Sequence, residues 1–225
     1  MMRAFENRPD CKVWDEPFYA AYLSITGIDH PMRQAVIDAG EPDWERVAAR
    51  CVARQSDADV FYQKHMTHHM VPDIDTAWLG DVKHGFLLRH PERVLRSYVA
   101  KRESVNLLDI GVQQQWTLYE RVAEQTGQAP LVVDSDDFLS DPHAYLQAMC
   151  REWGLAFSDR MLNWPTGPRD SDGAWGPHWY AAVWETTSFG QPTSAPADDL
   201  PPALRDVCEQ AMPYYLKLFE RRLQL

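Results

Sequence analysis

The sequence predicts an α/β protein with a mainly parallel sheet flanked by helices. Short apolar segments alternate with longer segments of helical periodicity along most of the chain. Prolines, glycines and acidic cap residues separate these segments, and such alternation is typical of parallel sheets with right-handed crossovers. The chain has 225 residues, 45% of them hydrophobic and 24% charged, which is a globular composition. This length favours one domain over residues 1–225.

The first half of the chain is predicted to contain helices and two short strands. Each boundary rests on a proline, an acidic cap or a change of periodicity. In chain order we predict the end of a helix at 1–8, a strand at 11–15 (CKVWD), helices over 18–25 and 30–39, a helix over 44–54 with Pro42 near its first turn, and a strand at 59–65 (DVFYQKH).

The second half is predicted to continue the alternation and to end in a long helix. The segment KHGFLLR is short and apolar, as expected of a strand that is buried on both faces. The predicted elements are strands at 83–89 and 129–135, helices over 110–127 and 141–154, a helix that Pro91 opens, a loop-rich segment at 163–202, and a final helix of about twenty residues.

Charge and composition exclude several classes of function. The formal net charge of −11 and the pI near 5.1 argue against general binding of nucleic acid, because a polyanion would be repelled. No run of eighteen apolar residues indicates a membrane span, and the first residues contain no apolar signal segment. The four cysteines lie far apart without CxxC spacing. We therefore expect a cytoplasmic protein with reduced thiols and with neither nucleic acid nor membrane as partner.

A cluster of cations lies where the third predicted strand meets a helix. It consists of Arg89, Arg93, Arg96, Lys101 and Arg102, opposed only by Glu92. In a parallel sheet, ligands bind beyond the carboxyl ends of the strands, where helix N-termini present free N–H groups. The cluster is therefore a candidate site for a small anion.

The alternative to an anion site is a solvated amphipathic helix, and the charge pattern alone favours this alternative. In that reading Val94, Leu95 and Tyr98 pack inward and the cations only keep the outer face in water. In the other reading the i, i+4 spacing places Ser97 on one face with Arg93 and Lys101, where guanidinium and hydroxyl groups could bind a phosphate.

The segment FLLRHPERVLRSYVAK (86–101) resembles P-loop sulfotransferases, in which a strand ends in arginine and a serine follows eight residues later. In that family the two side chains bind the 3′-phosphate of 3′-phosphoadenosine 5′-phosphosulfate (PAPS), so the resemblance implies this role for Arg89 and Ser97. Residues 132–162 resemble the family's strand, acidic turn and Asp-Pro helix start. In GPRDSDGAWG, the residues Arg169, Gly173 and Trp175 resemble the late loop that closes over the nucleotide.

The resemblance covers the chain from about residue 60 onward and is greatest to the small bacterial sulfotransferase-like branch. It implies a P-loop nucleotide-hydrolase-like fold, PAPS as co-substrate and no required metal. Family members begin with a strand and a Gly/Ser/Thr-rich loop around the 5′-phosphosulfate, and this sequence shows neither. Either the chain starts inside a longer protein, or the loop has been lost and sulfuryl transfer with it. The internal start is favoured because a sheet without a central strand would expose apolar edges.

Two residues after predicted strands resemble catalytic groups of the family. Glu16 resembles the glutamate that serves as base in bacterial and Golgi carbohydrate sulfotransferases, and its alternative role is an exposed turn carboxylate. Lys64 resembles the lysine that stabilises the leaving group. Met66 occupies the position of a family histidine, so His65 or His68 could act as the base instead.

The segment HMTHHM also admits a metal site, since His65, His68 and His69 offer three imidazoles. No HExxH motif accompanies them, and a polar turn is favoured over a metal. We therefore expect transfer of a sulfuryl group from PAPS to a hydroxyl or amine of a small-molecule acceptor. The alternatives are a sulfotransferase-fold protein that binds a nucleotide or phosphate without transfer and, third, a histidine-based metal hydrolase.

The acceptor and the oligomeric state are left open by the sequence. The loop-rich segment 163–202 contains four tryptophans that could roof the core or cover a ligand. They are Trp164, Trp175, Trp179 and Trp184.

Overall fold

Pairs of parallel strands flanked by helices form the framework of the computed structural model, which describes residues 1–71, 74–99, 105–192 and 199–225. The strands in this part of the chain are β1 (Cys11–Asp15), β2 (Val60–Lys64), β3 (Gly85–Leu88) and β4 (Leu131–Asp134). β1 pairs with β2 and β3 pairs with β4, both in parallel. The predicted α/β class with parallel strands is confirmed. The described strands form two ladders of two strands each.

α-Helices flank these strands, except that the described residues between β2 and β3 contain two short 3-10 helices, Thr67–His69 and Ala77–Asp81. In chain order the α-helices are α1 (Met2–Glu6), α2 (Tyr19–Thr26), α3 (Arg33–Ala39), α4 (Trp44–Val52), α5 (Pro91–Val99), α6 (Leu107–Ile110), α7 (Val112–Thr126), α8 (Ser135–Ser140), α9 (Pro142–Trp153), α10 (Gly176–Trp179), α11 (Ala181–Trp184) and α12 (Pro202–Phe219).

The chain divides into two compact units. The first consists of Met1–Val82 with Ala156–Phe189, and the second of Lys83–Leu155 with Gly190–Leu225. The first unit therefore contains the β1–β2 ladder, and the second contains the β3–β4 ladder. The single domain expected from the chain length stays a prediction beside this division.

In the first unit, strand register brings the ends of β1 and β2 side by side. Asp15 is the register partner of Lys64, and the backbone N–H of Glu16 donates to the carbonyl of Lys64 at 2.8 Å. Phe5 of α1 stacks on Tyr62 of β2 with ring centroids 4.2 Å apart, which packs α1 against the ladder. The polar residues that end both strands therefore lie at one edge.

In the second unit, β3 is buried on one face, which corrects the prediction of a strand buried on both faces. Phe86 and Leu88 are buried, whereas the Leu87 side chain between them is 49% exposed. Successive side chains of a strand point to opposite faces, so an apolar residue is no proof that its face is covered. Leu95 of α5 is buried, as expected for the inward side of that helix.

Several helix boundaries follow local signals in the sequence. Asp141 caps α9 by accepting the backbone N–H of Ala144 at 3.0 Å, and Gly154 ends that helix in the left-handed conformation with φ of 72°. The expected helix over 110–127 corresponds to α7, and Gly111, whose φ is 68°, separates it from α6, which was not predicted. Asp134 caps the unpredicted helix α8. The caps were therefore readable, but the breaks between adjacent short helices were not.

The loop-rich segment 163–202 is less irregular than its composition predicts. It contains α10 and α11, and Asn163 forms an antiparallel bridge with Ser188.

Pro42 lies just before the N-cap of α4, where Asp43 accepts the backbone N–H of Arg46 at 3.1 Å. The four cysteines are free, and none of the helices described is both long and apolar enough to cross a membrane.

Candidate functional site

Two carboxylates and a lysine meet at the carboxyl ends of β1 and β2 in the first unit. The ammonium of Lys64 donates directly to Oε1 of Glu16 and lies 3.3 Å from Oδ1 of Asp15. The Asp15 side chain is fully buried, the Glu16 side chain is 10% exposed and the Lys64 side chain is 31% exposed. We call these three residues together with Tyr180 the acidic cluster.

Tyr180, at the junction of α10 and α11, completes the acidic cluster. Its hydroxyl donates to Oδ2 of Asp15 at 2.6 Å and accepts from Lys64 at 2.9 Å. The indole N–H of Trp175 also donates to Oδ2 of Asp15, at 3.1 Å. The late segment of the chain therefore supplies two polar groups to the end of β1.

Glu16 has an unusual backbone conformation. Its φ is 44°, in the left-handed region that costs a residue with a Cβ about 1–2 kcal/mol. Its N–H donates to Lys64, as stated above, and its carbonyl accepts from the N–H of Tyr19 at 3.0 Å, just where α2 begins. A strained residue held by its surroundings is more frequent at functional sites than elsewhere. These two backbone hydrogen bonds hold Glu16 in this conformation, in which its carboxylate contacts Lys64.

Burial and charge set the protonation of the cluster. Burial alone would lower the pKa of Lys64, but the carboxylates of Glu16 and Asp15 outweigh it and raise that pKa. Burial raises the pKa of Asp15, and the positive charge of Lys64 partly opposes this shift. Burial also raises the pKa of the Tyr180 phenol. At neutral pH Lys64 is a cation and Tyr180 keeps its proton.

The histidines after β2 lie among aromatic rings. His65 shares a hydrogen bond of 3.1 Å with Oε1 of Gln63, and its ring lies 5.7 Å from that of Phe18. His68 packs edge-on against Tyr22 at 5.9 Å. A base role for either ring stays a prediction.

His69 is buried and stacks between Tyr19 and Tyr22, with centroid distances of 4.6 and 4.8 Å. Burial, helped by the charge of His68, holds its pKa well below the ordinary value, so the ring is neutral. Within the residues that the structure describes, no group of three or more histidine, cysteine, aspartate or glutamate side chains gathers as metal ligands would.

The late-loop residues singled out by the sequence have internal contacts in the first unit. The guanidinium of Arg169 lies 3.9 Å from Oε2 of Glu6 and donates to the carbonyl of Pro165 at 3.4 Å. A Cβ on Gly173 would overlap the Trp175 ring, so glycine is required there for close packing. Their roles in nucleotide binding stay predictions.

In the second unit, the predicted anion-binding pair is exposed. Arg89 follows β3, Ser97 lies on α5, and both are solvent-exposed. Arg93 and Arg96, in contrast, are paired inside the unit, with Asp136 and Glu92 respectively, each at 2.9 Å.

Within the described part of the chain, the Arg89 guanidinium has no ion-pair partner. Lys101 and Arg102, the other expected members of the cluster, lie outside the described residues. Among the described cations of the cluster, Arg89 is the one without an ion pair, and the resemblance assigns it to phosphate.

Sequence reasoning missed Asp15 and Tyr180. The signal for Asp15 was present, since an aspartate at the end of an otherwise apolar strand lies at the ligand-facing edge. Tyr180 is 116 residues from Lys64, and no local pattern joins them.

Comparison with known proteins identifies the family. The family model described as "Sulfotransferase domain" matches residues 1–222. Two curated proteins of Arabidopsis thaliana are similar: "Branched-chain-amino-acid aminotransferase-like protein 1", 31% identical over 215 residues, and "Branched-chain-amino-acid aminotransferase-like protein 2", 30% identical over 215 residues. Each match covers 96% of this chain, and the chain spans 38% of the length of either relative.

Two solved structures are also similar. The "Sulfotransferase Domain from the Synechococcus PCC 7002 Olefin Synthase" aligns with a TM-score of 0.54 and 17% identity, over 88% of this chain and 74% of that one. The "Sulfotransferase Domain from the Curacin Biosynthetic Pathway" aligns with a TM-score of 0.43 and 13% identity, over 87% and 78%. The olefin synthase domain shows a shared fold. Since the family model spans nearly all of its residues, the chain belongs to the sulfotransferase domain family.

Proposed function

We propose that the protein transfers a sulfuryl group from PAPS to a hydroxyl or amine of a small-molecule acceptor. Family membership supports sulfuryl transfer in general. The observation that carries the proposal is the contact between Lys64 and Glu16 at the carboxyl ends of β1 and β2. These are the two residues for which the resemblance implies an electrostatic helper and a base.

The proposed reaction is a direct displacement at sulfur. An electron pair of the acceptor oxygen or nitrogen forms the new bond to sulfur while the bond from sulfur to the bridging phosphate oxygen breaks. Adenosine 3′,5′-bisphosphate leaves with the electron pair of the broken bond between sulfur and oxygen. The acceptor's proton passes to the carboxylate of Glu16, which acts as general base.

Lys64 is assigned the stabilisation of negative charge during this displacement. Its ammonium stays protonated because Glu16 and Asp15 raise its pKa. A fixed cation is worth more beside a partly buried reaction centre than in water. The Lys64 side chain is 31% exposed, so it is not sealed from solvent.

Arg89 and Ser97 are assigned to the 3′-phosphate of the donor. An arginine fork that has no counter-ion among the described residues and an exposed hydroxyl have the chemistry that a phosphate dianion requires. Arg169, Gly173 and Trp175 are assigned to the nucleotide by resemblance alone. Because the Arg169 guanidinium has contacts with Glu6 and Pro165, we expect it to contribute less than Arg89.

A second candidate is a protein of this fold that binds nucleotide without transferring sulfuryl groups. It is favoured by the number of contacts that Lys64 makes, since Glu16, Asp15 and Tyr180 together engage its ammonium. Such an arrangement also suits a purely structural ion cluster. The aminotransferase-like names belong to longer proteins, and their activity is not assigned to this chain.

Donor binding is tested by calorimetry with adenosine 3′,5′-bisphosphate. We expect Arg89→Ala to weaken binding about tenfold, since one charged hydrogen bond contributes about 1.5–3 kcal/mol and the exposed position favours the lower end. Arg96→Ala is the matched control, because the Arg96 side chain is paired with Glu92. The affinity of this variant for the bisphosphate should stay within about twofold of the wild type. Equal affinities of the wild type and Arg89→Ala would contradict the assignment.

Transfer is tested with sulfur-labelled PAPS and a panel of small alcohols, phenols and amines. Glu16→Gln should bind the bisphosphate normally and lower turnover about a hundredfold or more, as expected when a general base is lost. Glu45→Gln, at an exposed position on α4, is the control. Binding without transfer to any acceptor would favour the second candidate, and absence of binding would contradict both.

A further inference from the structure

The acidic cluster contains more groups than base and helper require, and the extra groups are arranged unequally. Lys64 has three ammonium protons and three oxygen neighbours: Glu16 in direct contact, Tyr180 at 2.9 Å and Asp15 at 3.3 Å. When Glu16 is protonated, Tyr180 and Asp15 are the two neighbours that still hold the ammonium. The orientation of Lys64 therefore depends on two residues that the proposed reaction does not use.

The two carboxylates are not interchangeable. Oδ2 of Asp15 accepts hydrogen bonds from both Tyr180 and Trp175, and within the described residues its buried Oδ1 faces Lys64 alone. Glu16 is bound to Lys64, and its side chain is partly exposed. Asp15 is thus fixed by two donors on Oδ2 and by the ion pair of Oδ1 with Lys64, whereas Glu16 is the carboxylate with access to a proton from outside.

Tyr180 has one proton to donate, and geometry decides its direction. Its oxygen lies 2.6 Å from Oδ2 of Asp15 but 3.3 Å from Oε1 of Glu16. With the proton directed to Asp15, a lone pair of the hydroxyl faces Lys64. The hydroxyl therefore ties Lys64 to Asp15 rather than to Glu16.

The net charge of the acidic cluster shows what this difference between the two carboxylates can do. With Lys64 and both carboxylates ionised, the cluster has one net negative charge. When Glu16 takes up a proton it becomes neutral and loses its attraction for Lys64, while Asp15 keeps its charge and its 3.3 Å contact. The cluster then becomes neutral rather than positive, which avoids an unpaired cation at a partly buried site.

We propose that Asp15 and Tyr180 are positioning residues, which hold the Lys64 ammonium in place when Glu16 accepts the proton of the acceptor. This role rests on the proposed function. Trp175 supports it by donating to the same carboxylate oxygen that Tyr180 binds. Neither Asp15 nor Tyr180 is required to touch the substrate.

The first test measures how well Lys64 is held and does not depend on turnover. Lysine is acylated only as the neutral amine, so acetylation rates resolved by mass spectrometry report how strongly each ammonium is held. Tyr180→Phe keeps the ring and removes the hydroxyl, and we expect Lys64 to be labelled about tenfold faster. Tyr214→Phe is the matched control, because its ring lies 5.9 Å from another lysine, Lys217.

The second test separates positioning from general damage. In Tyr180→Phe we expect kcat to fall about tenfold while KM for PAPS stays within about twofold, since donor binding is assigned elsewhere. Unchanged labelling of Lys64, or unchanged kcat in an active preparation, would overturn the proposal. If the wild type transfers no sulfuryl group, the proposed function fails, and the labelling result alone decides whether the two residues position Lys64.

A measurement on the wild type covers the case in which the variant does not fold. With 15N-labelled lysine, a tightly held ammonium gives a slowly exchanging resonance near neutral pH, and the protons of Lys64 should show Overhauser contacts to the Tyr180 ring. Rapid exchange of the Lys64 ammonium without such contacts would refute the proposal.

Discussion

Replacing Lys64 by methionine tests whether the acidic cluster is held together by a single cation. The change keeps most of the side-chain length and removes the charge. It leaves two adjacent carboxylates at the end of β1, one of them fully buried. We expect a marked loss of stability at neutral pH, because the charge of Asp15 then lacks its counter-ion.

The structure sets the size of this effect. Removing one partner of a buried ion pair costs about 3–5 kcal/mol, and we discount this because Lys64 is 31% exposed and Glu16 can turn towards water. A loss of about 2–3 kcal/mol in the free energy of unfolding remains. Without Lys64, burial raises the pKa of Asp15 further above its ordinary value. The folded variant then binds that proton more tightly than the unfolded chain does, so the deficit shrinks as pH falls from about 7 to about 4.5.

Urea unfolding followed by tryptophan fluorescence at both pH values measures the deficit. Lys12→Met is the matched control, since Lys12 lies in the same ladder but pairs with Asp57 at the surface, with side chains 48% and 59% exposed. We expect little change in that variant. Equal losses in the two variants, or a Lys64→Met deficit that does not change with pH, would refute the reasoning.

Two further predictions concern His69 and Gly173. His69 has a lowered pKa, so it stabilises the fold above pH about 6.5 and loses that contribution as the pH falls. In His69→Phe the free energy of unfolding, measured by urea titration, should therefore fall less steeply between pH about 7 and 5, by up to about 1.4 kcal/mol per pH unit. An unchanged pH dependence of the unfolding free energy would contradict the assignment of His69 as a buried, neutral side chain. Gly173→Ala should cost about 1–3 kcal/mol by displacing the Trp175 ring, whereas Gly80→Ala, where a Cβ meets open space, should not; equal melting temperatures would count against the packing.

Strand positions were readable from the sequence because each strand is a short apolar run with turn residues at its ends. β1 coincides with the predicted residues 11–15, and β4 lies inside the predicted 129–135. The cap at Asp141 was readable for a similar reason, because an acidic residue before proline satisfies helix N–H groups locally. Such features depend on neighbours along the chain.

Burial and helix continuity were less readable because they depend on packing. Leu87 has the composition of a core residue, yet it lies on the open face of β3. The short helix α6 was not predicted, and one glycine in the left-handed conformation, Gly111, separates it from α7. Hydrophobicity alone did not decide either feature.

The sequence by itself determined that Glu16 and Lys64 each lie at the end of a strand, and parallel pairing then requires the two ends to share an edge. The tertiary structure alone decided that Tyr180 and Trp175 approach Asp15 from about 160 positions later in the chain. The physical reason is the separation along the chain between the residues that interact. Strands and caps are fixed by backbone preferences and hydrogen bonds between near neighbours. The path of the late segment is fixed by the side chains that it buries and by the buried charge of Asp15, which needs hydrogen-bond donors.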